Sequence, residues 1–332
     1  MWQRTVNWRH DPPIAGIVVA AILAVVFPVS GPAAEAFSWA TKIAIGLLFY
    51  LYGARLSPQE ALNGLKHWRL HLTILVFTFV VFPLIGLALR PLDAVLAPGL
   101  YLGILYMTLV PSTVQSSVNF TSIAKGNIAG SIVSASASNL LGIVLTPVLV
   151  MVLMATGGGL TVDSSVFVDI SLQLLLPFAL GQLTRRWTLR FAAAQVTKNV
   201  DRIAIAMVVY AAFSEGMVQG IWSQVPALDI VVLIVLSIVL VEFLLRFSGF
   251  VADKMGFDRR DRIAIQFCGS KKSLATGLPM AAVIFGADAS LYILPLMIFH
   301  QIQLMICPVN AARRGREAEA AASMDSAAAP NR

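Results

Sequence analysis

Residues 263–285 read IAIQFCGSKKSLATGLPMAAVIF. The stretch is apolar enough to cross a bilayer, yet it holds two adjacent ammonium groups, Lys271 and Lys272, about ten residues past the nearest basic loop. From that depth a lysine cannot easily snorkel to the interface. A lysine at mid-bilayer costs roughly 2.5–3.5 kcal/mol on the insertion scale, and an adjacent pair about twice that, so something must compensate. Successive residues on a helix point about 100° apart, so both side chains reach the interior more readily where the helix is unwound. Gly269, Ser270 and Ser273 around the pair, with Pro279 following, make this span a candidate broken helix. The functional reading is that at least one lysine binds an anionic substrate or stands in place of a coupling cation. The structural alternatives are an ion pair with Glu215 and a span shifted toward the interface.

The rest of the chain makes the bilayer its solvent. Of 332 residues, 58% are hydrophobic and 12% charged, with a mean hydropathy of +0.81, whereas soluble domains carry roughly 25% charged residues. About ten apolar windows begin near Ile14, Phe37, Leu70, Gly99, Asn127, Ser165, Ile203, Leu228, Ile263 and Ser290. The first, after Arg4, Arg9 and Pro12-Pro13, reads as a retained helix because no A-x-A site follows Pro28. With the N-terminus inside, the inner segments collect nearly all of the 24 Lys and Arg residues, and the outer loops hold only Arg90. Removing or adding one span scrambles this alternation, so both termini are expected in the cytoplasm of a cell inner or plasma membrane. The dispersed basic residues speak for topology and against nucleic acid. Cys268 and Cys307 both lie in apolar runs and offer neither a disulfide framework nor a metal site.

The expected fold is therefore an all-α polytopic membrane protein of ten transmembrane helices. An odd-numbered repeat inserts its second copy upside down, so ten spans divide into two inverted five-helix repeats, about 14–155 and 165–310. The membrane domain is expected over 1–312. Residues 57–68 suit an interfacial helix, and the Ala-rich residues 313–332 are expected to be a disordered cytoplasmic tail.

Spans four and five are unusually polar. Span four is interrupted at Pro111 and carries Gln115, Ser116, Ser117 and Asn119; unwound backbone at membrane depth is tolerated only where protein or water covers it. In span five, Ser131, Ser134 and Ser138 recur at i, i+3, i+7 and share one face, with Asn139 beside them. Tight packing of small residues explains span five alone, but span four reads as a substrate or ion pathway. Glu215 is a candidate proton acceptor or lysine partner, or an interfacial carboxylate. His300, near Gln301 and Gln303, is a candidate relay or a satisfied core histidine. Glu242 and Arg246 are spaced as a helical ion pair.

These strings resemble the bile acid:sodium symporter superfamily over nearly the whole chain. AKGNIAGSIVSASASNLLGIVLTPVLV looks like that family's span four-to-five segment, with its terminal Thr146-Pro147, and CGSKKSLATGLPMAAVIF points to its divergent SBF-like branch. The resemblance implies a core domain holding broken, crossing helices 4 and 9, a panel domain, and alternating access by rocking. It also implies where sodium ligands fall. The family's glutamate falls on Phe267, its glutamine on Lys271 and the following asparagine on Lys272. A serine is retained as Ser131, but a threonine falls on Ala135. The span-four Ser-Asn pair falls on Ser117-Val118, or on Val118-Asn119 after a one-residue shift. Ser117, Asn119 and Ser131 thus form a degenerate sodium site in which two ammonium groups replace a carboxylate. The cysteine used by the related arsenite exporters has no counterpart in span four.

No P-loop, H-E-x-x-H or G-x-S-x-G accompanies the spans. Nucleotide hydrolysis has no machinery, no cofactor is implied, and coupling to Na+ or H+ is the available energy source. The expected activity is secondary-active transport of a small solute, an organic anion in class. Its rivals are a non-transporting membrane regulator or scaffold with the same fold, and an intramembrane enzyme using Ser270 beside Lys271.

Overall fold

The computed structural model describes residues 12–55, 67–154, 171–220, 225–286 and 289–328. These residues form helices and connecting turns, with no strand among them. The helices are α1 (Pro12–Val26), α2 (Pro32–Arg55), α3 (Trp68–Ala88), α4 (Leu100–Leu109), α5 (Gln115–Ile123) and α6 (Ile128–Met154). They continue as α7 (Leu176–Ala192), α8 (Gln195–Val218), α9 (Ala227–Lys254), α10 (Arg259–Gly269), α11 (Leu274–Phe285) and α12 (Ala289–Ala328). Five of them, α2, α3, α6, α9 and the part of α12 up to Ala320, are long and apolar enough to cross a membrane alone. Large apolar side chains such as Phe27, Ile43, Val95, Leu183 and Leu228 stand exposed, a distribution suited to lipid and not to water. Residues 57–66 of the helix expected over 57–68, the start of span six near Ser165, and Arg4, Arg9 and Arg332 fall outside the described residues.

The chain divides into two compact units. The first comprises residues 1–56, 162–225 and 278–292. Within it α2 and α7 touch backbone to backbone: a Cβ on Gly53 would lie 2.1 Å from Phe178 O, and one on Gly181 2.1 Å from Tyr50 O. Paired small residues are what allow such an approach between membrane helices. Tyr50 shares a 2.8 Å hydrogen bond with Thr184, and Arg55 donates to Ala192 O and pairs with Asp201.

The second unit comprises residues 57–161, 226–277 and 293–332 and contains the two interruptions. Helix α4 stops at Leu109 and α5 begins at Gln115; α10 stops at Gly269 and α11 begins at Leu274. Pro111 cannot donate a hydrogen bond, which accounts for the first stop. Lys125, at φ 57°, takes the left-handed position that closes α5, and Gly126 N donates to Thr121 O at 2.8 Å. Gly126 also lets α10 approach, since its Cβ would lie 2.5 Å from Ile263. Asn127 then caps α6 through Gly130 N and donates to Asp261 Oδ1 on α10 at 2.6 Å.

The tail departs from expectation. Residues 313–328 are not disordered but extend α12 to Ala328. Alanine and glutamate are strong helix formers, and the docking is polar and close-packed, so no hydrophobic face was needed. Lys125 Nζ pairs with Glu319 at 2.7 Å, and a Cβ on Gly315 would lie 2.5 Å from Ile123 O.

Candidate functional site

The two interruptions meet. Ser273 N donates to Pro111 O at 2.8 Å, and Ser112 Oγ donates to Cys268 O at 2.6 Å. Unwound backbone leaves carbonyls that must find donors, and from Thr108 to Ser112 each one does. Leu109 O accepts from Thr146 Oγ1 at 2.9 Å, and Ser112 O accepts from Asn139 Nδ2 at 2.6 Å. Thr108 O and Val110 O accept from Lys272 Nζ at 2.7 and 2.8 Å.

The third acceptor of Lys272 comes from α3. Its residues Phe77–Val81 form a π-helical turn in which Phe82 N donates back to Phe77 O. Thr78 O thereby loses the donor four residues ahead, and the residue five ahead is Pro83, which has no N–H. That freed carbonyl accepts from Lys272 Nζ at 2.9 Å. An ammonium has three N–H donors, and here three carbonyls receive them. The C-terminal end of α4 adds negative dipole potential, and the Phe82 ring centroid lies 4.1 Å from Nζ. The peptide carrying this side chain is also clamped. Lys272 N donates to Gln303 Oε1 at 3.1 Å, while Gln303 Nε2 donates to Lys272 O at 2.9 Å.

Lys271 has a different surrounding. Its side chain is fully buried, yet Nζ has no oxygen acceptor. It lies 3.6 Å from the Phe120 ring centroid and 5.7 Å from that of Phe267, with the thiols of Cys307 and Cys268 beside it. Ser117 Oγ is likewise buried without a partner. The ion pairs of the described residues include neither lysine.

The other expected residues divide by exposure. The three serines of α6 each reach a different element: Ser131 Oγ donates to Thr121 Oγ1 at 3.0 Å, Ser134 Oγ lies 2.6 Å from His71 Nδ1, and Ser138 Oγ accepts from Ser112 N at 3.0 Å. Asn139 Oδ1 accepts from Thr276 Oγ1 at 2.7 Å, and Ser273 Oγ caps α11 through Thr276 N. His300 Nδ1 lies 2.8 Å from Gln303 Nε2 and 3.3 Å from Lys272 O, so it belongs to the clamp. Ser270 Oγ donates back to Gln266 O. On α5, Gln115 and Asn119 are exposed, and Ser116 bonds Thr113, so these three stand apart from the buried lysines. Glu215 belongs to the first unit and accepts from Gln219 Nε2 at 2.6 Å. The pairing of Glu242 with Arg246 is present at 3.2 Å.

Thr78, Thr108 and Phe82 were not singled out from sequence, and Gln303 was named only as a neighbour of His300. Two of the missed residues had a signal: Pro83 five residues after Thr78 and Pro111 three after Thr108. The donor set does not fit a sodium ion. Phe267 and Ala135 bring no oxygen, Asn119 is exposed, and two ammonium groups occupy the junction.

Residues 11–316 match the model of the SBF-like CPA transporter family. An uncharacterized protein of Pseudomonas aeruginosa is 47% identical over 92% of this chain and 93% of its own. The "Putative symporter YfeH" of Escherichia coli is 43% identical, covering 93% of this chain and 94% of its own. The sodium/bile acid cotransporter 7 of Xenopus tropicalis is 30% identical over 80% of this chain and 79% of its own. The chain belongs to the SBF-like CPA transporter family, a family of transporters and not of enzymes.

Proposed function

We propose that this protein is a secondary-active transporter of a small organic anion, working by alternating access, in which the Lys272 ammonium is a built-in substitute for a coupling cation. One observation carries the reading: three backbone carbonyls, two at the interruption between α4 and α5 and one freed by the π-helical turn of α3, converge on Lys272 Nζ. Carbonyls arranged in this way suit a monovalent cation, and a tethered ammonium supplies one permanently. Joined across their interruptions, α4 with α5 and α10 with α11 make two spans, giving ten in two inverted sets of five within residues 1–312. The excess of Lys and Arg on inner segments supports cytoplasmic termini.

In this mechanism the cation site never empties, so sodium is not co-transported. Work comes from the solute's own gradient, from exchange, or from a proton. The solute's negative charge is met by Lys271, whose ammonium has no oxygen partner. The names of the relatives, a symporter and a sodium/bile acid cotransporter, support solute movement across a membrane. The residues aligned with sodium ligands argue for a different coupling.

Proteoliposomes containing the purified chain test this, with taurocholate, benzoate and citrate as probes. The expected result is uptake of at least one anion with choline as the external cation, lost in Lys272→Gln. Uptake that requires sodium would contradict the substitution. Absence of flux from folded protein, with Lys272→Gln altering only the melting temperature, would favour a non-transporting scaffold.

A further inference from the structure

A second concentration of positive charge lies away from the lysine cradle. Between α10 and the extended part of α12 is a cavity of about 120 Å³ lined by Arg259, Arg262, Arg313 and Arg314, with Gln266 and the single carboxylate of Glu317. Four guanidinium groups and one carboxylate line this half-open cavity, so an anion bound there would relieve their mutual repulsion. Arg262 and Arg313 each have one carboxylate neighbour, while Arg259 and Arg314 form no ion pair among the described residues. Arg313 meets Glu317 only at 3.7 Å, and the ion pairs of the described residues omit Arg314. Arg262 Nε is buried without a hydrogen-bond acceptor, although Asp253 lies 3.2 Å away as a charge contact. Arg259 is held in position, donating to Arg314 O at 2.6 Å and to Ala124 O at 3.3 Å.

We propose that this cavity binds a phosphate group, held bidentately by the guanidinium forks, and that its occupancy ties α12 to the first half of the broken α10. Phosphate fits because it offers several acceptor oxygens to planar forks, whereas a carboxylate offers only two. Serving as a topology signal requires only basic charge near a helix end. It does not require four arginines around one cavity, two of which, Arg259 and Arg314, form no ion pair among the described residues. The same group can arrive as free inorganic phosphate or as an anionic lipid headgroup, since inner-leaflet headgroups lie at this depth when the termini are cytoplasmic. The proposal is independent of the transport reading, because it uses neither Lys271 nor Lys272.

The test is the melting temperature of the purified full-length chain in neutral detergent, titrated with sodium phosphate against sodium chloride at matched ionic strength. A parallel series uses vesicles of phosphatidylcholine with and without phosphatidylglycerol. Arg313→Lys combined with Arg314→Lys keeps charge and fold but loses the forks; Arg262→Gln is the second variant. A saturable rise with phosphate is expected, with half-saturation displaced about tenfold or more in the double lysine variant. The rise should be unchanged in Asn119→Ala, whose side chain is exposed on α5 and does not line this cavity. A rise given only by phosphatidylglycerol vesicles, and weakened by the same variants, assigns the site to a headgroup and sustains the proposal. No rise in either series, or an equal rise in wild type and both arginine variants, overturns it.

Discussion

Two adjacent lysines, both fully buried, meet opposite surroundings. Lys272 finds three carbonyls for its three N–H donors and a glutamine clamp for its peptide, whereas Lys271 finds aromatic rings, thiols and no oxygen. The cradle of Lys272 has a structural role: the ammonium completes the hydrogen bonding of the interruption between α4 and α5 and of the π-turn of α3. The niche of Lys271 leaves a polar group unsatisfied, a cost that a fold tolerates where a partner arrives from outside. The contrast teaches that buried charge in a membrane has two justifications, and that satisfied donors distinguish them.

The largest effect should follow Lys272→Met, which strands three carbonyls at membrane depth. Stability measured by denaturant or heat should fall by about 3 kcal/mol or more, and flux should vanish. Gln303→Leu comes next. It removes two hydrogen bonds from the Lys272 peptide and should cost about 1–3 kcal/mol, with Lys272 still present to keep part of the flux. Lys271→Met should leave stability within about 1 kcal/mol of wild type or raise it, because an apolar side chain suits rings and thiols better than an unpaired ammonium. Anion-dependent uptake should nonetheless be lost. A destabilisation by Lys271→Met as large as that of Lys272→Met would erase the distinction between the two sites. The smallest effect is assigned to Asn119→Ala, within about 0.5 kcal/mol, because the side chain is exposed on α5 and stands apart from the buried set.

Much of this arrangement is legible in the sequence. Apolar windows and the alternation of basic loops indicated membrane spans, and Pro111 and Gly269-Ser270 marked both interruptions, because proline and glycine act locally. The spacing of Ser131, Ser134 and Ser138 gave their shared face for the same reason. What was not readable depended on the third dimension. Which lysine would be satisfied was undetermined, since the acceptors come from Thr78, Thr108 and Val110, far away in the chain. Pro83 as the cause of the free Thr78 carbonyl needs the π-turn as well as the sequence. Gln115 and Asn119 looked inward because polarity in an apolar span suggests an interior, yet the side of α5 that meets α6 and α10 carries Ser117 and Thr121. The tail was misread because its alanines were weighed for hydrophobic burial and not for helix propensity and close packing at Gly315.

The most direct test of the Lys272 ammonium as resident cation is the melting temperature of the purified chain in sodium chloride against potassium and choline chloride at equal ionic strength. The wild type is predicted to melt at the same temperature in all three, while Lys272→Gln, whose amide leaves carbonyl valence free, melts lower in all three. A sodium-specific rise in the wild type, preserved when Lys272 is replaced, would show that a sodium site exists elsewhere and that the ammonium does not take its place.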